Sequence, residues 1–392
     1  MSVTLIGCGC GIESLTLEAA AAIEQAELLI GAKRMLAPWQ GTTPCVEAVS
    51  AGEIAAAIES NPDKKICVLY SGDSGFYSGA RLLLPLLKEE PALLPGISSV
   101  QLFAARLAEP WQNWRLCSAH GVSCDPVHAV CGGRPAFFLT GGESGPAALC
   151  RSLTEAGLGF LKIAVGENLG SAEERLVRMT AEEAAGESFA PLSVMLIEAA
   201  PRMAPRAPGL PDDCFTRAEK IPMTKQEIRA AALAKLAVGP EDTCWDVGAG
   251  TGSVGIELAL QAKAVWAVER NEAALKIAEE NRQKLGAWNL RLLAGTAPEA
   301  LQDLPAPDAV FVGGSGGQLR EILSCVHAAN PAARICVSAI ALETLQTAHS
   351  TLRELGYETE TCQIGISRGK SAGELTLMLA QNPVWLITGK RP

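Results

Sequence analysis

Apolar and polar residues alternate along this chain in short, repeated blocks. "VTLIGCGCG", residues 3–11, is an apolar strand entering a glycine loop, and "ESLTLEAAAAIEQA", 13–26, is a run of helix formers behind it. "KICVLYSGDSGFYSGARLLLPLL", 65–87, repeats the order of strand, glycine loop and helix. "LLPGISSVQLFAARLA" adds a loop and helix, "AFFLTGGES" and "LKIAVGENLG" add strands ending in glycines, and "LSVMLIEA" closes the series. "RMAPRAPGLPDD", 202–213, then interrupts the pattern, with four prolines between residues 201 and 211. Proline has no amide donor and breaks helices and central strands, so the stretch reads as a linker between domains at 1–204 and 212–392.

The second part opens with a loop and helix in "IPMTKQEIRAAALAKLAV", where Thr224 and Glu227 have the spacing of a capping box. "TCWDVGAG" is a strand entering a glycine turn, followed by the helix "GSVGIELALQ" and the strand "AVWAVERN". "EAALKIAEENRQKLGA" is a helix stopped near Gly286. "LRLLAG", "PDAVFVGG" and "ARICVSAI" are further strands, and "LETLQTAHSTLRELG" is another helix. "YETETCQIGIS" and "GELTLMLAQNPVWLITG" read as late strands, the last two antiparallel. Strands alternating with helices predict an α/β fold in both parts, the second a doubly wound sheet with an antiparallel finish.

Composition narrows the function classes. The 392 residues suffice for two domains, and 48% apolar against 19% charged residues describes a core-forming chain. A net charge of −10 argues against a general nucleic-acid binder, which presents a basic surface. No apolar run approaches the length of a membrane span, and the N-terminus lacks the basic segment of a signal peptide. The thirteen cysteines include no CxxC pair, so they read as small buried hydrophobes in a reduced, cytoplasmic protein with no metal site.

The stretch "WDVGAGTGSVGIE", 245–257, carries the chemistry. Gly248, Gly250 and Gly252 lie between strand and helix, where glycine permits positive φ and close ligand approach. Gly250, Gly252 and Gly255 also match GxGxxG, so the motif alone leaves a dinucleotide and a methyl donor both open. Asp246, at the strand end, suits a cationic amino group and sits poorly beside pyrophosphate. Glu269, 17 residues beyond Gly252, suits two ribose hydroxyls in either case.

Neighbouring motifs carry a closer resemblance. "IPMTKQEIRAAALAKL", "WDVGAGTGSVGIE", "PDAVFVGGSGGQLREIL" and "LTLMLAQNPVWLITG" resemble the decarboxylating precorrin methyltransferases, which have the Rossmann-like S-adenosylmethionine methyltransferase fold. "LIGCGCG", "YSGDSGFYSGARLL", "LPGISSVQLFAARLAEPWQNW" and "APLSVMLIE" resemble the tetrapyrrole methylase superfamily. Cys10 stands where many relatives have proline, and Ser74 where many have proline in a Gly-Asp-Pro motif.

The resemblance implies two S-adenosylmethionine sites, one per domain. The first domain is expected to methylate carbon 5 of precorrin-6B. The second is expected to methylate carbon 15 and release the ring C acetate carboxyl, giving precorrin-8. Cobalt-precorrins are the alternative substrates, and an NAD(P)-dependent oxidoreductase or a non-catalytic tetrapyrrole-binding module the more distant readings.

In the second domain, Asp246, Gly248, Gly250, Gly252, Glu269, Thr224 and Ala297 in "GTAPEAL" are expected at the donor. Gly313, Gly314, Ser315, Gly316, Gly317, Lys225 and Arg320 are expected at the substrate, the glycine amides facing its carboxylates or the donor. In the first domain, Gly72, Asp73, Ser74, Ser98 and Ser99 are expected at the donor, and Gly7, Gly9 and Gly11 along the cleft. Tyr77 reads either as a cleft residue or as a core-facing helix residue. The resemblance also implies a homo-oligomer.

Overall fold

The computed structural model describes residues 2–120, 124–201, 208–219 and 221–391. It divides into one unit of residues 1–130 and 134–199 and a second of residues 131–133 and 200–392. Both are α/β, with helices flanking central sheets.

Among the described residues the first unit contains ten strands: β1 (Ser2–Gly7), β2 (Leu28–Gly31), β3 (Cys45–Glu47), β4 (Lys65–Tyr70), β5 (Ala92–Leu94), β6 (Arg115–Ser118), β7 (Ala136–Leu139), β8 (Lys162–Glu167), β9 (Arg175–Thr180) and β10 (Ser193–Ile197). The first five form a parallel sheet in the order β3-β2-β4-β1-β5. The others form a mixed sheet, β6-β7-β10-β8-β9. Successive residues of a strand face opposite sides. Accordingly Leu5, Ile30 and Val68 pack in one apolar cluster, while Ile6, Leu29 and Leu69 pack in another.

Two helices read from this region are shorter than expected. The run 13–26 becomes a 3-10 turn at Ile12–Ser14 and a helix at Leu17–Glu24 capped by the Thr16 hydroxyl. The run after "SGFYSG" becomes a helix of only Ala80–Leu83, because Pro85 stands in the next turn. Tyr77 precedes that helix, at φ 48° and largely exposed, so it is no core-facing helix residue.

The second unit contains β11 (Thr243–Val247), β12 (Ala264–Glu269), β13 (Leu290–Ala294), β14 (Ala309–Val312), β15 (Arg334–Ala339), β16 (Glu358–Ile364), β17 (Ser367–Ala372), β18 (Leu375–Ala380) and β19 (Val384–Lys390). Its main sheet runs β13-β12-β11-β14-β15-β19-β16, with β19 antiparallel to both neighbours. Cys244, Phe311 and Cys336 pack on one face, and Trp245, Val310 and Ile335 on the other, so this sheet is buried on both sides. The last stretch, residues 373–389, holds two strands, β18 and β19, each in antiparallel pairings as expected of the late strands. β18 pairs with β17 in a separate hairpin whose residues are all exposed.

The expected linker 202–213 falls partly outside the described residues, at 202–207. Its end packs into the second unit: Leu210 is buried, and Glu257 accepts the Gly209 and Leu210 amides. Of the thirteen cysteines, Cys8, Cys67, Cys131, Cys150, Cys244 and Cys336 are buried, and the other seven are half-buried.

Candidate active sites

In the second unit, β11 lies between β12 and β14, where the strand order reverses. In such sheets the crevice outside the strands' carboxyl ends is the binding position. Val247 ends β11, and the chain turns through Gly248, Gly250 and Gly252 at φ 76°, 54° and 76°. These are left-handed conformations that favour glycine. A Cβ on Gly248 would lie 2.5 Å from the Gly314 carbonyl oxygen, and one on Gly250 would lie 2.7 Å from that of Pro222. The turn is thus packed between the loop after β14 and the loop before the helix Gln226–Leu236.

Two carboxylates hold the turn. Glu269 accepts the Gly250 amide at 2.9 Å on one oxygen and the Asn271 amide at 2.9 Å on the other. Each oxygen retains acceptor capacity for a further donor. Asp246 accepts the Gly255 amide at 2.7 Å, and its other oxygen is buried without a hydrogen-bond partner. Burial, followed by repulsion from Glu269, raises its pKa to about 7, against the lowering effect of the Gly255 amide. The Thr251 hydroxyl is likewise buried without a partner. A methyl donor fits these residues: it brings a cationic ammonium and sulfonium, hydroxyls for Glu269, and no pyrophosphate to oppose Asp246.

Several expected contacts differ. The Gly313 and Gly314 amides donate to the Val247 carbonyl at 2.9 and 3.3 Å, so both are engaged within the fold. Gly316 and Gly317 have left-handed φ of 57° and 92°, while the Ser315 carbonyl accepts the Gln318 amide. Arg320 pairs with Glu354 at 2.6 Å. The Thr224–Glu227 capping box does not form. Lys225 occupies the N-cap without a side-chain bond, Asp212 accepts the Gln226 amide at 3.0 Å, and Glu227 pairs with Arg368 at 2.7 Å. The Lys225 ammonium stands 3.9 Å from Asp212. Ala297 is buried in the apolar cluster of Trp245, Val268 and Leu301. Pattern reasoning missed Arg270, whose guanidinium lies 3.2 Å from a Cβ position on Gly316.

The first unit forms a cavity of about 1400 Å³. Gly9, Gly11, Gly72, Asp73, Ser74, Ser98 and Ser99 all line it, with Tyr77 and His120. Gly9 and Gly72 exchange backbone hydrogen bonds of 3.0 and 2.8 Å, joining the loops after β1 and β4. Asp73 accepts the Gly75 and Gly96 amides at 2.9 and 3.1 Å. The Ser98 hydroxyl caps the helix Ser99–Leu107, and Ser74 reaches the Leu94 carbonyl at 3.5 Å.

Gly7 does not line the cavity. A Cβ there would meet the Gly72 carbonyl oxygen and the Gly96 nitrogen, each at 2.7 Å, so glycine serves the packing of three loops. Burial pushes the Cys8 and Cys10 thiols up to about 12 and 11, leaving the cavity without a thiolate nucleophile near neutral pH. Sequence reasoning also missed Arg34 and Arg81, two cations on the cavity wall. Exposed arginines carry no periodic signal that singles them out.

Two glycine-turn α/β units define the class: this is an S-adenosylmethionine-dependent methyltransferase. Residues 2–185 match the family model of tetrapyrrole (corrin/porphyrin) methylases, and 213–390 that of the precorrin methyltransferase domain. A probable cobalt-precorrin-6B C(15)-methyltransferase (decarboxylating) from Pyrobaculum calidifontis is 42% identical over 185 residues, 46% of this chain and 95% of that protein. A precorrin-6Y C(5,15)-methyltransferase (decarboxylating) from a Sinorhizobium species is 34% identical over 285 residues, 70% of this chain and 68% of that protein. A solved precorrin-6y C5,15-methyltransferase from Geobacter metallireducens is 38% identical, covering 47% of this chain and 100% of its own, with a TM-score of 0.45. The chain belongs to the decarboxylating precorrin C-methyltransferases, with a tetrapyrrole methylase domain fused ahead of the precorrin methyltransferase domain.

Proposed function

We propose that the chain methylates a precorrin twice, at carbon 5 in the first unit and carbon 15 in the second, and removes the ring C acetate carboxyl as carbon dioxide. S-adenosylmethionine supplies both methyl groups, one site per unit, with domains at 1–204 and 212–392. The observation that supports this reading is a glycine loop at the carboxyl ends of parallel strands in each of the two units.

In the second unit, Asp246 and Glu269 hold the donor, on a turn formed by Gly248, Gly250 and Gly252. Thr224, Lys225 and the backbone at Ala297 flank it, and Ser315, Gly316, Gly317 and Arg270 border the substrate. In the first unit, Gly72, Asp73, Ser74, Ser98 and Ser99 hold the donor, and Gly9 and Gly11 the macrocycle. A cavity of about 1400 Å³ exceeds the usual span of small-ligand pockets, roughly 300–1,000 Å³, and is large enough for a donor beside a tetrapyrrole. Arg34 and Arg81 give this wall of an acidic chain the charge that a polycarboxylate needs.

The macrocycle is itself the carbon nucleophile, so the protein's part is to align donor and acceptor and exclude water. Among the described residues no helix is long and apolar enough to cross a membrane. We assign the chain to the cytoplasm, without nucleic-acid partners. A homo-oligomer is supported by the β17–β18 hairpin, which exposes Leu375, Leu377, Met378 and Leu379.

Mass analysis after incubation with S-adenosylmethionine and precorrin-6B tests the reading. The expected product, precorrin-8, carries two more methyl groups and one carboxyl fewer. A parallel incubation with the cobalt-loaded macrocycle separates the two substrate classes. Turnover of neither substrate, or dependence on NAD(P)H instead of the methyl donor, contradicts it.

A further inference from the structure

The second unit contains a buried charge cluster that none of the proposed chemical steps uses. Arg229, on the helix Gln226–Leu236, is fully buried. Its Nε donates to Glu257 at 2.7 Å, its Nη1 to Asp212 at 3.0 Å and to the Thr224 carbonyl, and its Nη2 to the Leu210 carbonyl. The guanidinium also lies 4.6 Å from the Phe215 ring centre. Glu257 is buried too, and its carboxylate accepts the Gly209 and Leu210 amides at 2.6 and 3.0 Å.

The placement of this cluster is informative. Glu257 belongs to the helix Ser253–Ala259, which leaves the glycine turn directly. Thr224, held through its carbonyl by Arg229, lies two residues beyond Pro222, whose carbonyl oxygen faces Gly250 at 2.7 Å from its Cβ position. Arg229 therefore ties the loop that lies on the turn to the helix that follows it. A buried ion pair adds little net stability over an apolar pair of the same shape, and its contribution is often the geometry it specifies. The rigid guanidinium fork can hold two carbonyls and two carboxylates at once, which neither lysine nor an apolar side chain can do.

We infer that Arg229 is a positioning residue for the methyl donor, seating loop 222–225 on the glycine turn through Glu257. The inference rests on the reading of that turn as a donor site. It goes beyond that reading by assigning a role to a residue with no expected ligand contact.

The test compares the full-length wild type with Arg229→Met, Arg229→Lys and the double variant Arg229→Met/Glu257→Gln. Three quantities are read: donor affinity by calorimetry, thermal midpoint, and amide exchange at residues 223–225. Arg229→Met is expected to lower the midpoint, because the buried Glu257 and its neighbour Asp212 lose the guanidinium that neutralises them. The double variant is expected to recover part of the midpoint, because the buried charge is gone while a glutamine can accept only one of the Gly209 and Leu210 amides, and to bind the donor about tenfold more weakly than wild type, with faster exchange at 223–225. Arg229→Lys is expected to weaken the donor similarly and raise donor KM more than it lowers kcat, and it carries the comparison if Arg229→Met does not fold. Donor affinity equal to that of wild type in the double variant would reduce Arg229 to a structural role and overturn the inference. Unchanged exchange at 223–225 overturns it as well. A wild type that binds no donor overturns the site reading itself, and the exchange measurement still judges the seating of the loop.

Discussion

The two glycine sites are built on opposite plans. In the second unit Asp246, Gly248, Gly250, Gly252 and Glu269 fall within 24 residues, and one strand, one turn and one neighbouring strand end bring them together. In the first unit the cavity wall draws on loops and strand residues spread from Cys8 to Val194. Glycine serves different ends as well. Gly250 is required by a left-handed backbone and by the Pro222 carbonyl, whereas Gly7 and Gly96 are required because three loops meet backbone to backbone. A compact turn concentrates its function in a few replaceable positions. An assembled cavity distributes it, so single changes there are expected to have smaller effects.

Gly250→Ala breaks this contrast most severely. The new Cβ meets backbone on one side and demands a left-handed conformation on the other, costing about 2–3 kcal/mol at the turn. Donor affinity in the second unit should fall by roughly a hundredfold, while carbon-5 methylation persists. Product analysis on supplied precorrin measures both; equal loss of the two activities would mean the sites are not separate.

Glu269→Gln is the next step down. It removes a charge and turns one acceptor into a donor, where both oxygens now accept amides. Hydrogen bonds to charged groups are worth about 1.5–3 kcal/mol, so donor binding should weaken by roughly tenfold or more with the fold intact. A donor titration checks it, and unchanged affinity removes the ribose assignment.

Asp246 gives the second site a pH dependence. Its raised pKa, about 7, means that the acid is protonated in the fold below that pH and ionised above it. A cationic donor favours the ionised form, so affinity should drop by about tenfold from pH 8 to pH 6. Folding stability without donor has the opposite sign. The contribution of this group is full below the ordinary aspartate pKa of about 4 and is lost as pH rises through about 7. Donor affinity of Asp246→Asn should lose the slope, and a slope that survives places the titrating group elsewhere.

The smallest effect belongs to the cavity wall. Arg34→Ala or Arg81→Ala removes one exposed cation from a large site. Exposed charge pairs are worth up to about 1 kcal/mol, so precorrin KM for carbon-5 methylation should rise by roughly two- to fivefold, with carbon 15 unaffected.

The same contrast sets what was legible in the sequence. Strand β11, its glycine turn and Glu269 could be read because local spacing determines them. The helix 272–284 could be read with its stop, where Gly286 takes φ 66°. The Thr224–Glu227 box failed because distant partners compete for the same groups: Asp212 takes the Gln226 amide and Arg368 takes Glu227. The bonds that the Gly313 and Gly314 amides make to Val247 of a neighbouring strand were equally illegible, since only folding brings that carbonyl to them. Arg229 stands in an alanine-rich helix, and only folding brings it to Glu257, 28 residues along the chain. Strands β2, β3 and β5 are three or four residues long, too short for periodicity to separate them from loops.

The central claim is two donor sites in one chain, and calorimetric stoichiometry on the full-length protein tests it most directly. The account predicts two molecules of S-adenosylmethionine bound per wild-type chain and one per Gly250→Ala chain at the same donor concentration. One molecule per wild-type chain, or loss of both from the single substitution in the second unit, would contradict it.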